Sequence, residues 1–103
     1  MLIEGLILAA IAVAQVATAV YIVFLVISEI VNWFQNNRKL TANDREEIGF
    51  TLQKRLKNGK YNTVQGIFNK STNSLDAVRK VKSSRIDDEL AGYHRDTDLV
   101  VYD

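Results

Sequence analysis

The chain has no cysteine and no proline, one histidine, one tryptophan and five glycines in 103 residues. Without cysteine there are no disulfides and no thiolate metal sites, and the redox compartment leaves no mark on the sequence. A single imidazole, His94, leaves little room for histidine chemistry. An excess of one charge is also missing. Thirteen Lys and Arg stand against twelve Asp and Glu, for a formal net charge of +1, far from the strongly basic balance of a nucleic-acid-binding domain. There is no glycine-rich phosphate loop, no dinucleotide fingerprint and no Gly-x-Ser-x-Gly elbow. The length accommodates one domain plus an anchor, not two full hydrophobic cores.

The charge is unevenly placed. Residues 1–34 carry only Glu4 and Glu29, and every Lys and Arg lies from Arg38 onward. From Gly5 to Ile27 the run GLILAAIAVAQVATAVYIVFLVI has Gln15 and Thr18 as its polar residues. As a helix rising about 1.5 Å per residue, it covers a hydrocarbon core of roughly 30 Å. A cleaved signal peptide needs a basic start, a shorter apolar region and a small-residue cleavage site. Acidic Glu4 and bulky Ile30, Val31, Trp33 and Phe34 do not supply them. The sequence therefore predicts a single-pass hydrophobic transmembrane or assembly helix over residues 1–36. Cations follow this span and none precedes it, so the positive-inside rule places the N-terminus outside and the C-terminal part in the cytoplasm. Trp33, Arg38, Lys39 and Arg45 are the expected membrane-surface contacts.

Within such a helix, positions 4, 8, 11, 15, 18, 22, 25, 29 and 32 alternate in steps of four and three and form one stripe. The stripe collects Glu4, Gln15, Thr18, Glu29 and Asn32. Lipid offers these groups no hydrogen bonds, so they are expected to face a partner helix, with small residues such as Ala10 and Ala14 permitting close approach. The predicted helix–helix interface is Glu4, Ala10, Ala14, Gln15, Thr18, Glu29 and Asn32, joining the chain to itself or to another transmembrane helix.

Residues 37–59 read as a juxtamembrane amphipathic helix. Asn43 with Glu46 resembles a capping box, Ile48, Leu52 and Leu56 fall at four-residue spacing, and Lys54, Arg55 and Lys57 suit the negative end of the dipole before a stop at Gly59. Residues 60–103 read as a small α+β module. Tyr61–Phe68 and Leu75–Lys82 have strand composition around a turn-rich interruption and form a hairpin. A short helix follows from Ser84 with apolar Ile86 and Leu90, then a terminal strand at Leu99–Tyr102. The expected fold is thus a transmembrane-type N-terminal helix followed by helix, β-hairpin, short helix and terminal strand.

Catalytic constellations are sparse. His94 near Asp96 and Asp98 lacks the three or four preorganised ligands a metal wants, and Asp87-Asp88-Glu89 reads as an acidic helix start. Neither a metal nor a cofactor is expected, and the chain reads as non-enzymatic. Basic residues at Arg38, Lys39 and Arg45, and at Arg79, Lys80, Lys82 and Arg85, would hold it to anionic headgroups at about 1 kcal/mol per cation. Nucleic acid is the weaker expectation, because no RNA-binding signature accompanies Tyr61 and Phe68.

The start Met1-Leu2-Ile3-Glu4, followed by an apolar helix rich in small residues and a compact α+β head, resembles mature type IV pilins. That resemblance implies an extracellular filament with apolar helices in its core and Glu4 as the assembly residue. The chain departs from the pattern in having the glutamate fourth rather than fifth and in lacking a helix-bending proline. A phage holin, with few apolar helices and a charged tail, is a further alternative. The leading expectation is a membrane protein acting as a small structural or accessory subunit. It would work through helix–helix association and a cytoplasmic module that contacts a protein or the membrane surface.

Overall fold

The computed structural model describes residues 3–13, 19–37 and 46–102. The elements are α1 (Ile3–Val13), β1 (Ala19–Tyr21), β2 (Phe24–Leu25), α2 (Ile27–Asn37), β3 (Glu47–Arg55), β4 (Tyr61–Asn69), β5 (Ser74–Ser83), β6 (Arg85–Ile86), α3 (Asp88–Tyr93) and β7 (Leu99–Tyr102). Five strands form one mixed sheet in the order β1-β5-β4-β3-β7, and β2 pairs with β6 in a separate parallel ladder. The β3–β4–β5 meander is antiparallel, β7 runs antiparallel to β3, and β1 lies parallel to β5.

This architecture corrects the expected transmembrane-type helix. The apolar run does not form one helix: it yields α1, a strand at Ala19–Tyr21 and a second at Phe24–Leu25. The reason is visible in its composition. Ala and Leu, neither of them β-branched, make up six of the eleven residues from Gly5 to Gln15, whereas Val20-Tyr21-Ile22-Val23-Phe24 is β-branched and aromatic, which favours a pleated surface. α1 and α2 each have 11 residues, about 17 Å of helix. Among the described residues no helix is long and apolar enough to cross a membrane.

The helix expected ahead of the hairpin is also overturned, because Glu47–Arg55 is a strand. Ile48, Phe50 and Leu52 alternate with Gly49, Thr51 and Gln53. A helix would separate Phe50 from Ile48 and Leu52, whereas a strand puts all three on one face. The hairpin partners β4 and β5 and the terminal strand β7 lie where their composition places them; the short helix begins at Asp88 rather than Ser84, because Arg85–Ile86 pairs with β2 as a strand and Asp87 caps α3.

Both faces of the sheet are covered. On one, Ile7 and Ala10 of α1 pack with Ile48, Phe50 and Phe68, supported by Val64, Leu75, Leu99 and Val101. On the other, Ile30 of α2 and Leu90 of α3 meet Leu25 and Val81. Two glycines permit close packing. A Cβ on Gly66 would lie 2.6 Å from the Phe50 ring, and one on Gly49 would lie 2.7 Å from Phe34, which rests on the strand from α2. Asp87 ties the second layer together. Its Oδ1 accepts from the Leu90 amide at 2.8 Å, capping α3, and its Oδ2 accepts from the Ile27 amide at 3.0 Å, at the first residue of α2.

Candidate functional site

Because β1 is parallel to β5 and β4 is antiparallel to both β3 and β5, the strands ending at Tyr21, Arg55 and Ser83 finish at one end of the sheet. The registers there align Tyr21, Lys82, Asn62 and Lys54 in a single row across four strands. Directly opposed residues share a face, so this end of the α1-covered face is basic and aromatic. Three cations sit over aromatic rings: Lys60 Nζ lies 6.0 Å from the Tyr21 centroid, Arg85 4.7 Å from Phe24 and Arg55 5.9 Å from Tyr61. The Tyr21 hydroxyl is 2.6 Å from Ser84 Oγ, which pins the ring.

Large apolar side chains protrude beside these cations. Tyr21 is 56%, Val23 57%, Phe24 43% and Leu56 39% exposed. Leu56 and Lys57 are carried by the β3–β4 turn. There the Gly59 amide donates to the Leu56 carbonyl at 2.9 Å, the Leu56 amide donates to the Lys60 carbonyl at 2.7 Å, and Asn58 Oδ1 accepts from the Lys60 amide. Gly59 has φ +84°, a left-handed conformation natural to glycine. Lys54, Arg55, Lys57, Lys60, Lys82 and Arg85 are all exposed, and no Asp or Glu occurs between Ile48 and Leu75. A nearly neutral chain therefore carries a segregated basic end. Asp98 lies at its margin, in a cleft of about 390 Å³ shared with Arg55, Arg95 and His94.

The sheet face beneath α2 and α3 is unusually polar for a buried surface. Thr51, Gln53, Thr63, Gln65, Arg79 and Ser83 are all buried there. Arg79 Nε donates to Gln65 Oε1 at 2.9 Å, and the Gln65 amide donates to the Ile30 carbonyl at 2.8 Å. The guanidinium lies 5.3 Å from the Trp33 ring and 3.4 Å from Glu29 Oε1. Burial pulls the Arg79 pKa below its ordinary value, and Glu29 opposes that shift. Nearby, Nδ1 of His94 donates to the Thr97 carbonyl at 3.2 Å, which leaves Nε2 to accept from the Thr51 hydroxyl at 2.8 Å. The Tyr102 hydroxyl donates to Thr51 at 2.8 Å. Burial lowers the His94 pKa, with Thr97 and Asp98 opposing, and raises that of Tyr102. The chain Tyr102–Thr51–His94 is thus a neutral relay joining β7, β3 and the end of α3.

Of the residues expected at a helix–helix interface, Glu4 is exposed on α1 and Ala10 is packed into the core. Glu29 faces Arg79, and Asn32 is exposed on α2. Ala14, Gln15 and Thr18 lie outside the described residues. The stripe is not one helical face, since Glu4 belongs to α1, Leu25 to β2, and Glu29 and Asn32 to α2. Of the expected membrane-surface contacts, Trp33 is half-buried, with its ring edge-on to Phe34 at 5.8 Å and close to Arg79. Arg38, Lys39 and Arg45 lie outside the described residues.

Of the residues that converge at the basic end, the sequence assigns Lys82 and Arg85 to anionic headgroups and reads the others differently. Lys54, Arg55 and Lys57 read as cations at a helix terminus, and Tyr21, Val23 and Phe24 read as part of a span. The signal that gathers them is the acid-free stretch from Ile48 to Leu75, interrupted only by Lys54, Arg55, Lys57, Lys60 and Lys70 as charges. As a class, the chain is an α+β module with a mixed five-strand sheet covered on both faces. No protein-family model matches it, and comparison with curated proteins and with solved structures finds no significant match.

Proposed function

We propose that the chain is a non-catalytic accessory module that docks peripherally on an anionic membrane surface through the basic end of its sheet. The observation that carries this reading is the convergence of exposed Val23, Phe24 and Leu56 with exposed Lys57, Lys60 and Arg85. Apolar side chains at such a tip enter the headgroup boundary and gain about 25 cal/mol for each Å² removed from water. The flanking cations answer the negative surface potential, each contributing about 1 kcal/mol. A nucleic-acid strand would use the same charges, but the protruding aliphatic Val23 and Leu56 gain nothing from stacking on bases. The favoured partner is therefore the bilayer.

The test is co-sedimentation of the full chain with phosphatidylcholine vesicles, with and without phosphatidylserine. Wild type is expected to sediment with the anionic vesicles and to be released by salt. The triple variant Lys57→Gln, Lys60→Gln, Arg85→Gln removes about 3 kcal/mol, a loss of about a hundredfold. Equal sedimentation of wild type and variant defeats the proposal.

A further inference from the structure

A second site lies away from the basic end, where α2 and α3 part above the sheet. The cleft is about 350 Å³ and partly enclosed. Ile27, Ile30, Val31 and Phe34 of α2 form one wall, Tyr93 of α3 the other, and Gly49, Ile67 and Tyr102 the floor. Phe34, Tyr102 and Tyr93 are linked ring to ring, with centroids 5.5 and 5.7 Å apart. The absence of a side chain at Gly49 lets the Phe34 ring pack directly against the strand, where a Cβ would lie 2.7 Å from it.

The chemistry of an occupant follows from charge. Among the described residues, Glu89 is the sole charged residue lining this cleft, and Gln35 the other polar side chain besides the tyrosine hydroxyls. A carboxylate at the mouth of an aromatic pocket repels anions and attracts a cation, which the ring faces of Tyr93, Tyr102 and Phe34 also favour. The volume stands at the lower end of the roughly 300–1,000 Å³ of ligand sites, which suits a small molecule. We propose that this cleft binds a small organic cation, an aryl or branched alkyl body bearing one ammonium group, with the body against Ile67 and Tyr102 and the ammonium beside Glu89. This site is separate from the membrane-binding end and stands or falls without it.

The test is titration of the ¹⁵N-labelled full chain with phenethylammonium, and with phenylacetate as an anionic probe of similar size, read by amide chemical shifts. The amine is expected to shift Gly49, Ile67 and Tyr102 saturably, with phenylacetate at least about tenfold weaker. Glu89 is exposed, so Glu89→Gln keeps the fold and is expected to weaken the amine about fivefold to tenfold, as loss of a cation's charge partner implies. Val31→Trp, at an exposed rim position, fills the cleft and removes the response. Equal binding of amine and carboxylate, shifts confined to other surfaces, or full affinity in Glu89→Gln would overturn the assignment.

Discussion

Replacing Thr51 with valine removes one hydroxyl from a fully buried position and leaves the side-chain shape nearly unchanged. That hydroxyl is within 2.8 Å of both His94 Nε2 and the Tyr102 hydroxyl, so valine strands an acceptor and a donor together. A buried polar group left without its partner costs about 1–3 kcal/mol. Tyr102 and His94 are each half-buried, so water recovers part of the loss at both ends. The expected cost is about 2 kcal/mol, which for a chain of this length lowers the melting temperature by of order 10 °C. Urea unfolding followed by circular dichroism measures it, with an unchanged m-value showing that the native state stays compact. Thr51→Ser keeps the hydroxyl and loses only a methyl group, so it should cost about 1 kcal/mol. The reasoning is refuted if valine costs under about 0.5 kcal/mol, or if serine is as damaging as valine, since the methyl rather than the relay would then matter.

Other perturbations probe the same layers. The His94 pKa is depressed in the folded chain by burial, partly offset by Thr97 and Asp98. The unfolded chain therefore takes up a proton first as pH falls through about 6.5, and stability drops by about 1.4 kcal/mol for each unit of depression before levelling off below the folded value. Urea midpoints between pH 7.5 and 5.5 should show that fall in wild type and lose much of it in His94→Gln; an identical fall in both would assign it elsewhere. Asp87→Ala removes the α3 cap and the contact to Ile27 at once, at a cost of about 1–2 kcal/mol. Hydrogen exchange should quicken at the Ile27 and Leu90 amides together, and a change at Leu90 alone would contradict the tie between α2 and α3. Gly59→Ala meets no atom within 4 Å, so its cost of about 1 kcal/mol should come from the left-handed backbone, and Gly59→Asn should cost less.

The hairpin, α3 and β7 were readable because local composition and tertiary structure agree there. Gly59 illustrates the ambiguity just before them. A residue with positive φ ends a helix or turns a hairpin equally well, and Ile48, Leu52 and Leu56 fit a four-residue spacing while Ile48, Phe50 and Leu52 fit a two-residue one. Burial of Thr51, Gln53, Thr63 and Gln65 hid the second covered face of the sheet, because their polar alternation imitates a solvent-facing side when it faces α2 and α3. The apolar run failed for a different reason. Its hydrophobicity satisfied the length of a span, yet the same Ile7, Ala10, Leu25 and Ile30 satisfy the two faces of a sheet. Hydrophobicity alone does not distinguish lipid from a protein core. The basic end was hidden because it is assembled from β1, the β3–β4 turn and the end of β5, segments spread along the chain from Ala19 to Ser83, which only the sheet order brings together.

We propose, above all, that the basic, apolar-tipped end of the sheet meets an anionic bilayer. The most direct measurement is the affinity of the full chain for phosphatidylserine-containing vesicles, set against neutral vesicles and a single-stranded oligonucleotide in the same buffer, with and without the triple substitution at Lys57, Lys60 and Arg85. Wild type is expected to prefer the anionic vesicles over both competitors, and the variant to bind them about a hundredfold more weakly. Tighter binding to the oligonucleotide, or vesicle binding indifferent to lipid charge and to those three cations, would contradict it.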